Sequence, residues 1–197
     1  MDRIPLPSRR EDLTNDAQRA VWDSVVAGPR GRVIGPLRAA IHAPDLARAW
    51  SALGESLRFG TSLGKRLSEL AIIVTGRRWS AQVEWFVHAQ AAAEAGLEAE
   101  VIAAIRDGAP PRFTQPDDAL VYEYARLLLR DGTVPAALHA QVTQRFGVKG
   151  VVELTALVGY YSMVAMTLNA HAVPLPDDAA PPLVAPGHGL FDQKPPE

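Results

Sequence analysis

The sequence predicts an all-α fold, a single domain built as a multi-helix bundle. Three observations carry that expectation. Apolar residues recur at three- and four-residue spacing along most of the chain. No segment alternates apolar and polar residues for the length of a strand. Gly and Pro breaks divide the chain into pieces of helical length. With 197 residues, 48% hydrophobic and 21% charged, the chain is long and apolar enough for one substantial core.

Taken in order, Asp12 or Thr14 is placed to cap a first helix whose face carries Ala17, Ala20, Val21 and Val25, with Gly28-Pro29 as its stop. A loop rich in Gly, Pro and Arg runs from Gly28 to Pro36, and a short helix from Leu37 to His42 follows. Pro44 suits the first turn of a longer helix through Leu46, Trp50, Leu53 and Leu57 to about Gly60. Ser62 is placed to cap the next one, striped by Leu63, Leu67, Leu70, Ala71 and Val74. A helix starting near Ser80 ends at Gly96, and a short one spans Glu98 to Asp107 before Gly108-Ala109-Pro110-Pro111. Three more cover Asp117 to Arg130, Ala136 to Phe146 and Val148 to Asn169. Residues 1–36 thus hold the first helix and its loop, and 37–173 the helical core. Residues 174–197 form a proline-rich extended arm, either disordered or draped over a neighbour.

A formal net charge of −2 gives no electrostatic basis for a nucleic-acid or anionic-membrane partner. The short basic clusters, among them Arg9-Arg10, Arg30 with Arg32, Lys65-Arg66 and Arg77-Arg78, read as solvated or interface residues. The chain has no cysteine, which removes disulfides, thiolate nucleophiles and sulfur ligands together. The start, Met1-Asp2-Arg3-Ile4-Pro5, lacks the apolar run of a secretory signal. Val151 to Leu168 has the length of a membrane span but carries Glu153, Thr155, Tyr160, Tyr161, Ser162 and Thr167. It is expected as a buried helix in a soluble, cytoplasmic protein.

The residues with chemical potential are Glu84 and His88, four apart and so on one helical face, with Glu69 on the helix before them. Glu69 lies within Leu67-Ser68-Glu69-Leu70-Ala71-Ile72-Ile73-Val74, where a charge is costly unless partnered. Alone, each has an ordinary explanation: a surface ion pair for either glutamate, with Lys65 or Arg66 as partners for Glu69, and a satisfied core imidazole for His88. Together they point to proton transfer. Arg38 and His42 either line a pocket entrance or face solvent, and Arg38 and Arg77 are candidates to hold a substrate carboxylate. Trp85 and Tyr160 are either core aromatics or walls of a binding site.

Other motifs fail on inspection. Gly60-Thr61-Ser62-Leu63-Gly64-Lys65-Arg66 has one spacer too few for a phosphate loop, lacks the hydroxyl after Lys and follows a helix. Ser62, Ser68 and Ser80 lie near His88 in sequence, but none occupies a strained strand-to-helix elbow. His42, His88, His139, His171 and His188 share no close ligand spacing, and Glu84-x-x-x-His88 occurs once where a helical di-iron bundle needs two Glu-x-x-His copies. No metal and no other cofactor is expected.

Arg66-Leu67-Ser68-Glu69-Leu70-Ala71-Ile72, Glu84-Trp85-Phe86-Val87-His88-Ala89 and Ala95-Gly96-Leu97 together resemble the carboxymuconolactone decarboxylase family, within the alkylhydroperoxidase-D-like superfamily. The likeness runs more loosely through Glu153-Leu154, Gly159-Tyr160-Tyr161 and Leu168-Asn169, and covers residues 45–170. It implies an all-helical subunit in a homo-oligomer, a trimer or hexamer, with pockets at or near subunit contacts. The peroxidase branch of that superfamily carries Cys-x-x-Cys, then His four residues on, with a glutamate on the preceding helix. Here the cysteine positions read Ala81 and Glu84, while Glu69 and His88 stand at the glutamate and histidine positions. Peroxide reduction by that route has no thiolate to perform it. The chain looks more like the non-redox branch, best known for cofactor-free decarboxylation of a carboxylated muconolactone in aromatic-compound catabolism.

The resemblance therefore implies a carbon–carbon lyase acting on a small carboxylate or lactone. His88 would move the proton, and Glu84 and Glu69 would orient it and stabilise its imidazolium, or one of them would act as a second base. A lactone hydrolase or isomerase would use the same residues, and a catalytically silent helical oligomer binding a small ligand is the reading from another class.

Overall fold

The computed structural model describes residues 3–176 and 179–183. Among them there are helices and no strands: α1 (Asp16–Ala27), α2 (Pro36–Ala40), α3 (Pro44–Phe59), α4 (Lys65–Arg78), α5 (Gln82–Glu94), α6 (Ala99–Asp107), α7 (Pro116–Asp131) and α8 (Ala136–Ala170), after a 3-10 turn at Arg10–Asp12.

Helix α4 is the axis of the molecule. Every residue from Leu67 to Arg77 is buried, because α5, α7 and α8 pack around it. Its apolar residues extend all round the helix, so the one-sided stripe expected for a surface helix is too narrow a description. Helix α8 bends at Gly147, whose φ of 74° and ψ of 170° fall where only glycine is comfortable. The two expected helices, Ala136 to Phe146 and Val148 to Asn169, are the two limbs of that bend. By length and apolarity alone α8 could cross a membrane, but half of its most apolar stretch is buried inside the structure.

Two expected caps and one expected helix start are reassigned. Asn15, not Asp12 or Thr14, caps α1, accepting from the Gln18 amide; Asp12 instead accepts from the amides of Ser8 and Arg9. Helix α4 starts after Gly64, and Ser62 turns away to donate from its amide and hydroxyl to Glu153, at 2.8 and 2.6 Å. Helix α5 begins at Gln82 rather than near Ser80, because Ser80 takes a left-handed φ of 49° in the turn.

The described part of the proline-rich arm is pinned to its own chain at Leu183. The Gln82 side chain donates to the Leu183 carbonyl at 2.8 Å and accepts from its amide at 2.9 Å, and Leu183 is buried. Residues 177–178 and 184–197 of the expected arm lie outside the described residues.

Candidate active site

Helices α4 and α5 form a hairpin joined by Trp79, Ser80 and Ala81, which brings Glu69 against His88. Glu69 Oε2 lies 2.7 Å from His88 Nδ1, with both side chains buried. A buried carboxylate so close accepts from Nδ1–H, which leaves Nε2 as the basic nitrogen of the ring. The Tyr161 ring meets the imidazole edge-on with centroids 5.0 Å apart and fixes its plane from the α8 side.

Glu84 does not share this bond. Both of its carboxyl oxygens are sealed from water and have no hydrogen-bond partner. Gly76, on α4, makes the seat: a Cβ there would stand 3.1 Å from Glu84 Oε1 and 3.4 Å from its Cγ. Burial pushes the Glu84 carboxyl well above the usual carboxylate range, so its protonated form is favoured. The expectation that both glutamates converge on the imidazole is thus corrected to one partner, Glu69, with Glu84 held apart and its pKa raised by burial.

A cavity of about 410 Å³ adjoins both residues. His88, Glu84, Arg38 and Tyr160 line it, as does an apolar wall that includes Ile34, Phe86, Val164 and Leu168. Val173 to Pro176 close one side, between the end of α8 and the segment pinned by Gln82. Glu69 stands behind His88 and does not line the cavity.

Three expected binding residues lie elsewhere. His42 is exposed, its Nε2 2.7 Å from the Pro5 carbonyl. Arg77 is buried in the last turn of α4, where burial lowers its pKa against the pull of Asp107. Trp85 is a core residue at 3% exposure, and its neighbour Phe86 supplies the cavity wall. Arg38 does reach the cavity, but its guanidinium donates to the carbonyls of Leu6 and Pro7 and so holds the N-terminal segment in place. Conversely, Arg30, Arg58 and Tyr161 line the cavity unforeseen. No three His, Asp or Glu side chains converge as a metal-ligand set among the described residues.

No family model and no curated protein matches the sequence. Solved structures do match the fold. An uncharacterized peroxidase-related protein from Ralstonia eutropha JMP134, described as an alkylhydroperoxidase AhpD core, aligns with a TM-score of 0.71 over 90% of this chain and 93% of its own. The chain has the AhpD-core fold. A second uncharacterized peroxidase-related protein, from Silicibacter sp. TM1040, gives a TM-score of 0.69 over 96% of this chain and 95% of its own. Identity is 16% in both cases, so what is shared is the AhpD-core architecture.

Proposed function

We propose that the protein is a cofactor-free decarboxylase of a carboxylated lactone or a related conjugated acid. The observation that carries this reading is His88, backed by Glu69, in the wall of a cavity beside a Glu84 carboxyl without a hydrogen-bond partner among the described residues. Burial raises the Glu84 pKa, and a protonated carboxyl beside an imidazole makes an acid and base set.

In the proposed reaction the bond between the substrate carbon and its carboxylate breaks and carbon dioxide leaves. The electron pair moves into a carbonyl conjugated with that carbon, giving a dienolate. Glu84 turns out of its Gly76 seat and gives its proton to the dienolate carbon, and His88 Nε2 carries a proton back to Glu84 from water. Glu69 keeps the imidazole in the tautomer that leaves Nε2 basic and stabilises the imidazolium while it exists. No outside electron acceptor is needed, since the substrate supplies its own.

The two solved relatives in fold are named peroxidase-related, but this sequence has no cysteine with which to reduce a peroxide through a thiolate. The cavity beside His88 also favours a ligand-handling site over a purely structural buried pair. The test is to incubate the protein with γ-carboxylated butenolides and follow carbon dioxide release. His88→Gln should lower kcat by roughly 10²–10⁴ while circular dichroism stays native. Ring opening or double-bond migration without gas release would replace the lyase by a hydrolase or isomerase. Unchanged turnover in His88→Gln would remove the imidazole from the chemistry.

A further inference from the structure

Four arginines, Arg30, Arg32, Arg38 and Arg58, line the cavity, against a single carboxyl residue among its lining, Glu84. They are not equivalent. Arg38 is tied to main-chain carbonyls, Arg32 is exposed, and Arg58 lies 5.5 Å over the ring of Phe59. Arg30 is half-buried, its Nε is closed off from water without an acceptor, and its Nη2 reaches the Tyr160 hydroxyl at a long 3.4 Å. A buried guanidinium nitrogen lacking an acceptor is costly, and its planar fork matches a carboxylate.

The fold makes room for this pair at Gly54, in the middle of α3. A Cβ there would fall inside the contact radii of both the Tyr160 hydroxyl and Arg30 Nη2. Glycine inside a helix is unfavourable, so the close approach is a reason for its presence. Tyr160 then leads to the reacting groups in two short steps. Its ring lies 5.3 Å from that of Tyr161, which lies 5.0 Å from that of His88.

We infer that Arg30 and Tyr160 form a carboxylate-anchoring subsite of this cavity. The inference rests on the cavity being the substrate site of an acid–base enzyme, and adds which residues hold the ligand's carboxylate.

The test is titration calorimetry of the whole protein with benzoate, benzamide and inorganic phosphate. Benzoate should bind, and benzamide, of the same shape without the charge, should bind roughly tenfold or more weakly. Arg30→Gln should remove that preference, and Gly54→Ala should weaken benzoate binding by displacing both anchoring groups. Should Arg30→Gln lose its native circular dichroism, Arg30→Lys is read instead; it keeps the charge without the fork and should bind benzoate with intermediate affinity. Failure of benzoate to bind, equal affinity for benzamide or phosphate, a preference that survives Arg30→Gln, or its loss only in Arg58→Gln would each overturn the assignment. Arg30-dependent benzoate binding in a protein that releases no carbon dioxide leaves the anchor standing and sinks the decarboxylase. Carbon dioxide release with an unchanged KM in Arg30→Gln does the reverse.

Discussion

Two glutamates stand near one imidazole, and their surroundings separate their tasks. Glu69 has a partner at 2.7 Å, while Glu84 has none among the described residues and burial raises its pKa. That difference has a signature in stability. Between the ordinary carboxylate pKa and the raised one, the folded chain holds a proton at Glu84 that the unfolded chain has released. Stability therefore falls as pH rises through that window. Glu84→Gln removes the penalty, so its thermal midpoint should gain on that of the parent as pH rises from about 5 to about 8. Melts followed by circular dichroism decide this, and a gap that stays flat with pH would show that Glu84 is already ionised. Glu69 was legible in the sequence because a charge amid apolar helix needs a partner, and Glu84 and His88 by their four-residue spacing, although Glu84 does not share the bond. Arg30 was not, since an arginine in a Gly/Pro loop reads as solvated until α3 and α8 are seen to enclose it. Its one trace in the sequence is Gly54, a glycine with no other reason to interrupt a helix.

Breaks between elements were readable wherever they depend on a residue's own backbone preference. Gly147 separates the limbs of α8, and Gly108 and Gly132 end α6 and α7 in left-handed conformations. Caps that depend on distant partners were not readable. Ser62 is a good local cap, yet the Glu153 carboxylate, 91 residues on, takes both its amide and its hydroxyl. The α8 bend gives a prediction that involves no catalytic group. At φ 74° and ψ 170° an alanine is strained, and nothing within 4 Å of the added Cβ compensates. Gly147→Ala should therefore cost about 1–3 kcal/mol, seen as a lower denaturation midpoint at an unchanged slope. Benzoate binding should persist, because Gly147 does not line the cavity. A midpoint equal to the parent's would mean that the two limbs can straighten into one helix.

Among the described residues, one face of α8 is left uncovered. On the limb after the bend, Val148, Val152, Ala156, Gly159 and Met166 follow at helical spacing along the outer side, with Val148 70% and Val152 61% exposed. A row of valines and a methionine in water is unfavourable, and the small residues at 156 and 159 allow another helix to come close. We expect this face to be where the homo-oligomer implied by the family resemblance forms, so that one limb of α8 would serve both the core and the assembly. The inner side of the same limb carries Tyr160, Tyr161, Val164 and Leu168 to the cavity, which couples the placement of the reacting groups to how α8 is held. Sedimentation of the parent protein should give a mass of several chains, and Val152→Glu, which buries a charge in the contact, should shift it toward a single chain. Circular dichroism of the variant should remain helical, since Val152 makes no part of the core. If the parent sediments as one chain, the exposed row has some other purpose. If it sediments as an assembly that Val152→Glu leaves intact, the contact uses another face, with Leu46 and Leu53 on the outer side of α3 as the next pair to alter.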